Sequence, residues 1–132
     1  MPEASEASIL VVEDDPEFVA DLLTLWHPAG PIRWAASAPE ALARLAESVP
    51  QLVLLDLCLP SREEEGLQVL SAIRERWGLD LPVVIVTRSD SAEVRSRALR
   101  LGATAFLTKP VNLDEFDQVV GEALRGAGSK LN

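Results

Sequence analysis

Five short apolar runs, each followed by an amphipathic stretch, constrain this chain more than anything else in its sequence. Ile9-Leu10-Val11-Val12, Leu52 to Leu55 and Val83 to Val86 are unbroken and rich in β-branched residues, the pattern of strands buried on both faces. Ile32 to Ala36 reads as a weaker strand and Ala105 to Leu107 as a short fifth one. The first helix opens at Pro16 with Asp15 as its N-cap, since proline at the first helical position gives up no needed N–H. Phe18, Val19, Leu22, Leu23, Leu25 and Trp26 supply its apolar face, and Pro28, Gly30 and Pro31 end it. A second helix begins near Pro39 with Leu42, Leu45 and Val49 inward. Leu70, Ile73 and Trp77 stripe the third, which Gly78 is placed to stop. The fourth, about Ala92 to Leu101, has the thinnest apolar face, with Val94, Ala98 and Leu101 set among arginines; Gly102 closes it. Leu113, Phe116, Val120 and Leu124 line the last.

Alternation of this kind predicts a parallel sheet covered on both sides. Five units in 132 residues suit an α/β, flavodoxin-like doubly wound sheet of five parallel strands, order 2-1-3-4-5, with five helices, better than an eight-unit barrel. The predicted domain spans 1–125. Residues 126–132 read as a C-terminal tail or the start of a linker.

Composition excludes several classes of function. A net charge of −9 with no basic cluster argues against direct nucleic acid binding. The single cysteine rules out an internal disulfide framework and fits a cytoplasmic location. One cysteine and one histidine in the whole sequence also argue against a structural zinc site. The sequence holds no apolar run near the roughly 18 residues of a membrane span and no visible signal peptide at Met1 to Ser8, so no membrane association is expected.

Ligands in a doubly wound sheet bind at the carboxyl ends of the strands. Strand one ends in Glu13-Asp14-Asp15, strand three in Asp56, strand four in Thr87 and strand five in Thr108-Lys109-Pro110. Any one of these acids alone could be no more than a helix cap, and Asp15 is read as one. Together they crowd a single rim, where like charges raise one another's pKa unless a cation neutralises them. A hard divalent cation such as Mg²⁺ suits carboxylate, carbonyl and water ligands. Such an ion can also clamp a phosphoryl group during transfer.

Ile-Leu-Val-Val-Glu-Asp-Asp-Pro at 9–16, Leu-Leu-Asp-Leu-Cys-Leu-Pro at 54–60, Val-Ile-Val-Thr at 84–87 and Gly-Ala-Thr-Ala-Phe-Leu-Thr-Lys-Pro at 102–110 resemble the receiver domains of bacterial two-component response regulators, the chemotaxis-regulator-like family. The resemblance covers about Ser8 to Arg125. It implies Asp56 as phosphoacceptor, with Mg²⁺ held by Asp14 directly, by Glu13 through water, by Asp56, and by the backbone carbonyl of Cys58. It further implies that Lys109 pairs with the phosphoryl oxygens and that its bond to Pro110 is cis. Thr87 would bond the phosphoryl group, and Phe106 would turn inward as Thr87 moves, repacking the fourth helix, fifth strand and fifth helix. The implied partners are a sensor histidine kinase or phosphotransfer protein and a downstream target or effector domain. A homodimer through the switched surface is a further arrangement of the family.

Three features depart from the family pattern. The run from Pro60 to Gly66 is about two residues longer than usual and carries Glu63-Glu64-Glu65; it reads as a solvated loop and helix start, or, with Glu65, as a modulator of metal affinity or partner choice. Arg88 stands where a small residue is usual, placed to gate Asp56 or to oppose a phosphate. Phe106 lacks the commoner tyrosine hydroxyl, and plain core packing is its alternative role. His27 and the three tryptophans read as packing or surface residues, and Cys58 as a redox sensor is a remote reading. A haloacid-dehalogenase-type phosphatase would need a second Asp at position 58, which is Cys. A flavin carrier would need a phosphate-binding loop where Glu13-Asp14-Asp15 stands. A pseudo-receiver that only binds partners is the third rival.

Overall fold

The computed structural model describes residues 8–26, 31–57, 63–88 and 91–129, with the side chains at 63, 64 and 127–129 outside that description. The strands are β1 (Ile9–Val12), β2 (Ile32–Ala35), β3 (Leu52–Leu55), β4 (Val83–Thr87) and β5 (Ala105–Thr108). The helices are α1 (Pro16–Leu25), α2 (Ala38–Glu47), α3 (Glu63–Trp77), α4 (Ala92–Arg100) and α5 (Leu113–Ser129), with a short 3₁₀ turn at Gly78–Asp80. The strands form one sheet in the order β2-β1-β3-β4-β5, every pairing parallel. The fold class, strand order and helix number expected from the sequence are the ones observed.

The two-residue period of the strands divides the core. Leu10, Val12, Val53, Leu55, Val83 and Ile85 point to one face, where Leu45 of α2, Leu70 and Ile73 of α3, and Val94 and Ala98 of α4 cover them. Ile9, Val11, Leu52, Leu54, Val84 and Val86 point to the other, beneath Val19 and Leu22 of α1 and Phe116 and Val120 of α5. Trp26 meets Phe116 edge to face at 4.9 Å. Alternate burial of unbroken apolar strands is what a parallel sheet with two helical layers requires.

Caps fix where the helices begin. Asp15 accepts from the Glu17 N–H, Ser37 from Glu40 and Ser91 from Val94. Gly78 (φ 63°) and Gly102 (φ 101°) take the left-handed conformation just past α3 and α4, where a Cβ would be strained. At this lower end Arg74 donates to three carbonyls, from Nε to Gly102 at 2.8 Å and from Nη1 to Gly78 at 2.7 Å and Leu81 at 2.6 Å.

The helix faces are narrower than the sequence suggests. Leu23 and Leu25 in α1, Leu42 in α2, Leu113 in α5, and Val49 and Leu101 just beyond helix ends are exposed rather than inward. A helix lying on a sheet buries one stripe, here Val19–Leu22–Trp26 in the first case and Ala41–Leu45 in the second. α1 also stops before its expected breakers, because Trp26 is already extended and buried as the C-cap; Pro28 and Gly30, like His27, lie outside the described residues. The acidic run at 63–65 forms the start of α3, the helix-start part of the expected loop and helix start; residues 58–62 lie outside the described residues. α5 runs on to Ser129 without a break at 125, so the first residues of the expected tail are helical; Gly126 weakens a helix without forbidding it.

Candidate functional site

β1 and β3 are adjacent and in register from Ile9↔Leu52 to Val12↔Leu55, so the residue after each strand emerges at the same level. Glu13 stays in the ladder, its N–H donating to the Ala35 carbonyl at 2.9 Å, and the Asp56 N–H donates to the Val12 carbonyl at 2.9 Å. Both acids are thereby held inside the rim, Glu13 at 2% exposure and Asp56 at 6%. Buried carboxylates persist only with partners. Lys109 is the partner of both, its Nζ 2.7 Å from Glu13 Oε1 and 3.2 Å from Asp56 Oδ2. The lysine reaches them from the end of β5, where its N–H donates to the Thr87 carbonyl at 2.8 Å and its bond to Pro110 is cis.

One ammonium cannot balance the cluster. Glu13, Asp14 and Asp56 each offer a carboxylate oxygen within 4.8 Å of the others. Burial, opposed by the hydrogen bond from Lys109 and reinforced by Asp56, pushes the Glu13 carboxyl up to about 7. Asp14 is also raised, by burial and then by the charge on Asp56. Three hard oxygen donors with surplus negative charge, open on the solvent side at the half-buried Asp14, fit a small divalent cation that keeps part of its water shell. Cys58, whose carbonyl was expected to join them, lies outside the described residues, as do the side chains of Glu63 and Glu64. Glu65, in the first turn of α3, is not a member of the cluster.

Thr87, the last residue of β4, is fully buried. Phe106 pairs with Ile85 on that neighbouring strand and is turned into the core at 8% exposure, with the Arg95 guanidinium 5.3 Å from its ring centroid. Arg88, one residue past Thr87, is exposed, and its Nη2 lies 3.4 Å from Asp15 Oδ2. Asp15 is therefore more than the helix cap the sequence suggested.

Three further residues shape the site. Phe18 presents its ring 4.2 Å from Lys109 Nζ. The Trp34 indole donates to the Glu13 carbonyl at 2.6 Å. Gly66 donates to the Leu57 carbonyl at 3.1 Å, and a Cβ on it would overlap the Leu57 backbone. Phe18 and Trp34 gave no local signal beyond being aromatic. Gly66, ending an acidic run, was a visible clue to close backbone approach.

Residues 9–121 match the family described as the response regulator receiver domain. The chain is 35% identical over 123 residues to an uncharacterised 14.6 kDa protein of Leptolyngbya boryana, covering 91% of this chain and 92% of that one. It is 33% identical over 120 residues to the transcriptional regulatory protein CiaR of Streptococcus pneumoniae, covering 91% of this chain but 52% of the relative, so it spans about half of that protein's length. Among solved structures, a receiver domain from Methanospirillum hungatei superposes with a TM-score of 0.86 at 28% identity, covering 96% of this chain and 99% of the other. NtrX from Brucella abortus, solved with ADP, superposes with a TM-score of 0.80 at 33% identity over 95% of this chain and 28% of its own. Sequence and fold agree over nearly the whole molecule, and the protein belongs to the response regulator receiver domain family, the signalling module of two-component systems.

Proposed function

We propose that this receiver domain accepts a phosphoryl group on Asp56 from the phosphohistidine of a sensor kinase or phosphotransfer protein, in a Mg²⁺-dependent reaction. The observation that carries the reading is the Asp56 carboxylate itself, buried at 6% exposure, 3.2 Å from Lys109 and within 4.8 Å of two further carboxylates. An Asp56 oxygen attacks phosphorus, the P–N bond of the donor breaks, and its electron pair returns to the imidazole. Bound at Glu13, Asp14 and Asp56, with the Cys58 carbonyl, Mg²⁺ would supply charge neutralisation and orientation for the transferring group. Lys109 balances the acids beforehand and turns to the phosphoryl oxygens afterwards, a charge-assisted contact. Phe18 shields one side of the ammonium from water.

The phosphoryl group brings roughly −1.5 to −2 charges and strong acceptors. Thr87 answers with its hydroxyl. Phe106, already inward and one strand away, packs behind it, and the α4-β5-α5 surface settles into a second arrangement. That surface carries the output to a target protein, a linked effector domain or a second copy of the chain. Among the described residues no helix is long and apolar enough to cross a membrane, in keeping with a role within the cytoplasm.

The test is incubation with Mg²⁺ and acetyl phosphate followed by intact mass. One added phosphoryl group, lost in Asp56→Asn and on chelation of Mg²⁺, supports the reading. A folded protein that binds Mg²⁺ yet takes no phosphoryl group from any donor is instead a pseudo-receiver.

A further inference from the structure

β3 lies between β1 and β4 in the sheet, and Asp56 is the residue at its carboxyl end. Asp15 belongs to the turn after β1, and Arg88 follows the last residue of β4. Adjacent strands are about 4.8 Å apart, so the two residues leave the sheet roughly 10 Å from each other, one on each side of Asp56. Their side chains nevertheless meet, at 3.4 Å. The contact therefore bridges from one side of β3, the strand that bears the acceptor, to the other.

Asp15 is well placed to anchor such a crossing. Its Oδ1 accepts from the Glu17 N–H at 3.0 Å, and its own N–H donates to Glu13 Oε2 at 3.2 Å. The anchor is thus tied both to the start of α1 and to the acidic rim. Arg88 supplies the movable end: its side chain is 78% exposed against 31% for Asp15, and it touches solvent along most of its length.

We propose that the Arg88–Asp15 ion pair is a strap over the mouth of the acceptor site, limiting the approach of phosphodonors to Asp56. This rests on Asp56 being the acceptor. An exposed ion pair is weak and screened by salt, so the strap opens readily and tunes the rate without blocking it. A small donor diffusing in from solvent has to wait for the pair to part. A protein donor can part it on docking, by offering Arg88 a carboxylate of its own. The strap thereby favours a docked partner over free small phosphodonors, and Arg88 is a specificity-determining residue for the reaction.

The experiment measures the rate of phosphoryl uptake from acetyl phosphate with saturating Mg²⁺, in wild type, Arg88→Ala, Asp15→Asn and the double variant. Asparagine at 15 keeps the helix cap, and thermal melts check that all four chains fold. The strap predicts that each single variant takes up phosphate about two- to fivefold faster. The double variant should be no faster than either single one, and the advantage should fade at high ionic strength. If Asp15→Asn still accelerates uptake when Arg88 is already alanine, its effect is general charge relief and the strap is wrong. Rates that are unchanged or slower in Arg88→Ala overturn it as well. Uptake by none of the four chains overturns the acceptor reading and the strap together, whereas equal uptake by all four overturns the strap alone.

Discussion

The two sides of the upper rim are built on opposite principles. At β1 and β3, charged groups are buried among strands: Glu13 and Asp56 sit below the surface with one lysine between them. At α4 and β5, an aromatic is buried and the charges stay outside. Phe106 packs inward under Arg95, and α4 buries only Val94 and Ala98 while Leu99 and the following Leu101 face solvent. The first region holds unfavourable electrostatics in a stiff frame. The second has little apolar surface to hold it in place, and such elements shift at low cost. A receiver domain needs both: a site where new charge makes a large difference, and a surface that a modest free energy can rearrange.

The contrast can be broken most forcefully at Lys109. Lys109→Met removes the shared partner of two buried carboxylates, and breaking a buried pair costs about 3–5 kcal/mol. Chemical denaturation without divalent cations should register a loss of that order, and Mg²⁺ should recover most of it. A loss unaffected by Mg²⁺ would mean that lysine packing, not charge, holds the rim.

A smaller effect is expected from pH. The Glu13 carboxyl is pushed from 4.5 up to about 7, so between these values the folded chain keeps a proton that the unfolded chain has released. Stability is then highest below about pH 4.5 as far as this group is concerned, and falls as pH rises through 7. The whole effect amounts to roughly 3–3.5 kcal/mol at most. Glu13→Gln should flatten the profile over this window, as should saturating Mg²⁺, which holds the carboxylate ionised. A profile just as steep in Glu13→Gln would assign the dependence to other groups.

The smallest change belongs to the other side. Arg95→Ala should cost about 0.5–1 kcal/mol, the worth of an exposed cation–π contact, and should loosen Phe106 without touching Mg²⁺ affinity. The aromatic ¹H shifts of Phe106 and a Mg²⁺ titration read the two sides separately. A change in Mg²⁺ affinity would show that the regions are coupled even before phosphorylation.

How much of this was legible beforehand follows the same division. Glu13, Asp14, Asp56, Thr87 and Lys109 could be placed on one rim because a parallel sheet brings strand ends together whatever the helices do. The unbroken runs at 9–12, 52–55 and 83–86 made those strands plain. The helix faces were less so. Leu25 and Leu42 look as apolar as Leu22 and Leu45, and only the angle at which each helix meets the sheet decides which is covered. Phe18 against Lys109 and Trp34 against the Glu13 carbonyl depend on those same angles, and Arg88 reaching Asp15 spans 73 positions of chain. Tertiary geometry of that kind leaves no periodic trace.

Arg74 gives the α4 side a mechanical character. Through one guanidinium it ties the carbonyl of Gly102, just past the end of α4, to those of Gly78 and Leu81 beyond α3. At the opposite end of α4, among the described residues, Ser91 caps the helix and Val94 enters the core. A helix tied by a guanidinium at one tip and by a serine cap and one apolar side chain at the other would act, in the proposed switch, as a lever with its fulcrum at Gly102, so that a small displacement beside Thr87 became a swing of the near end rather than a slide of the whole.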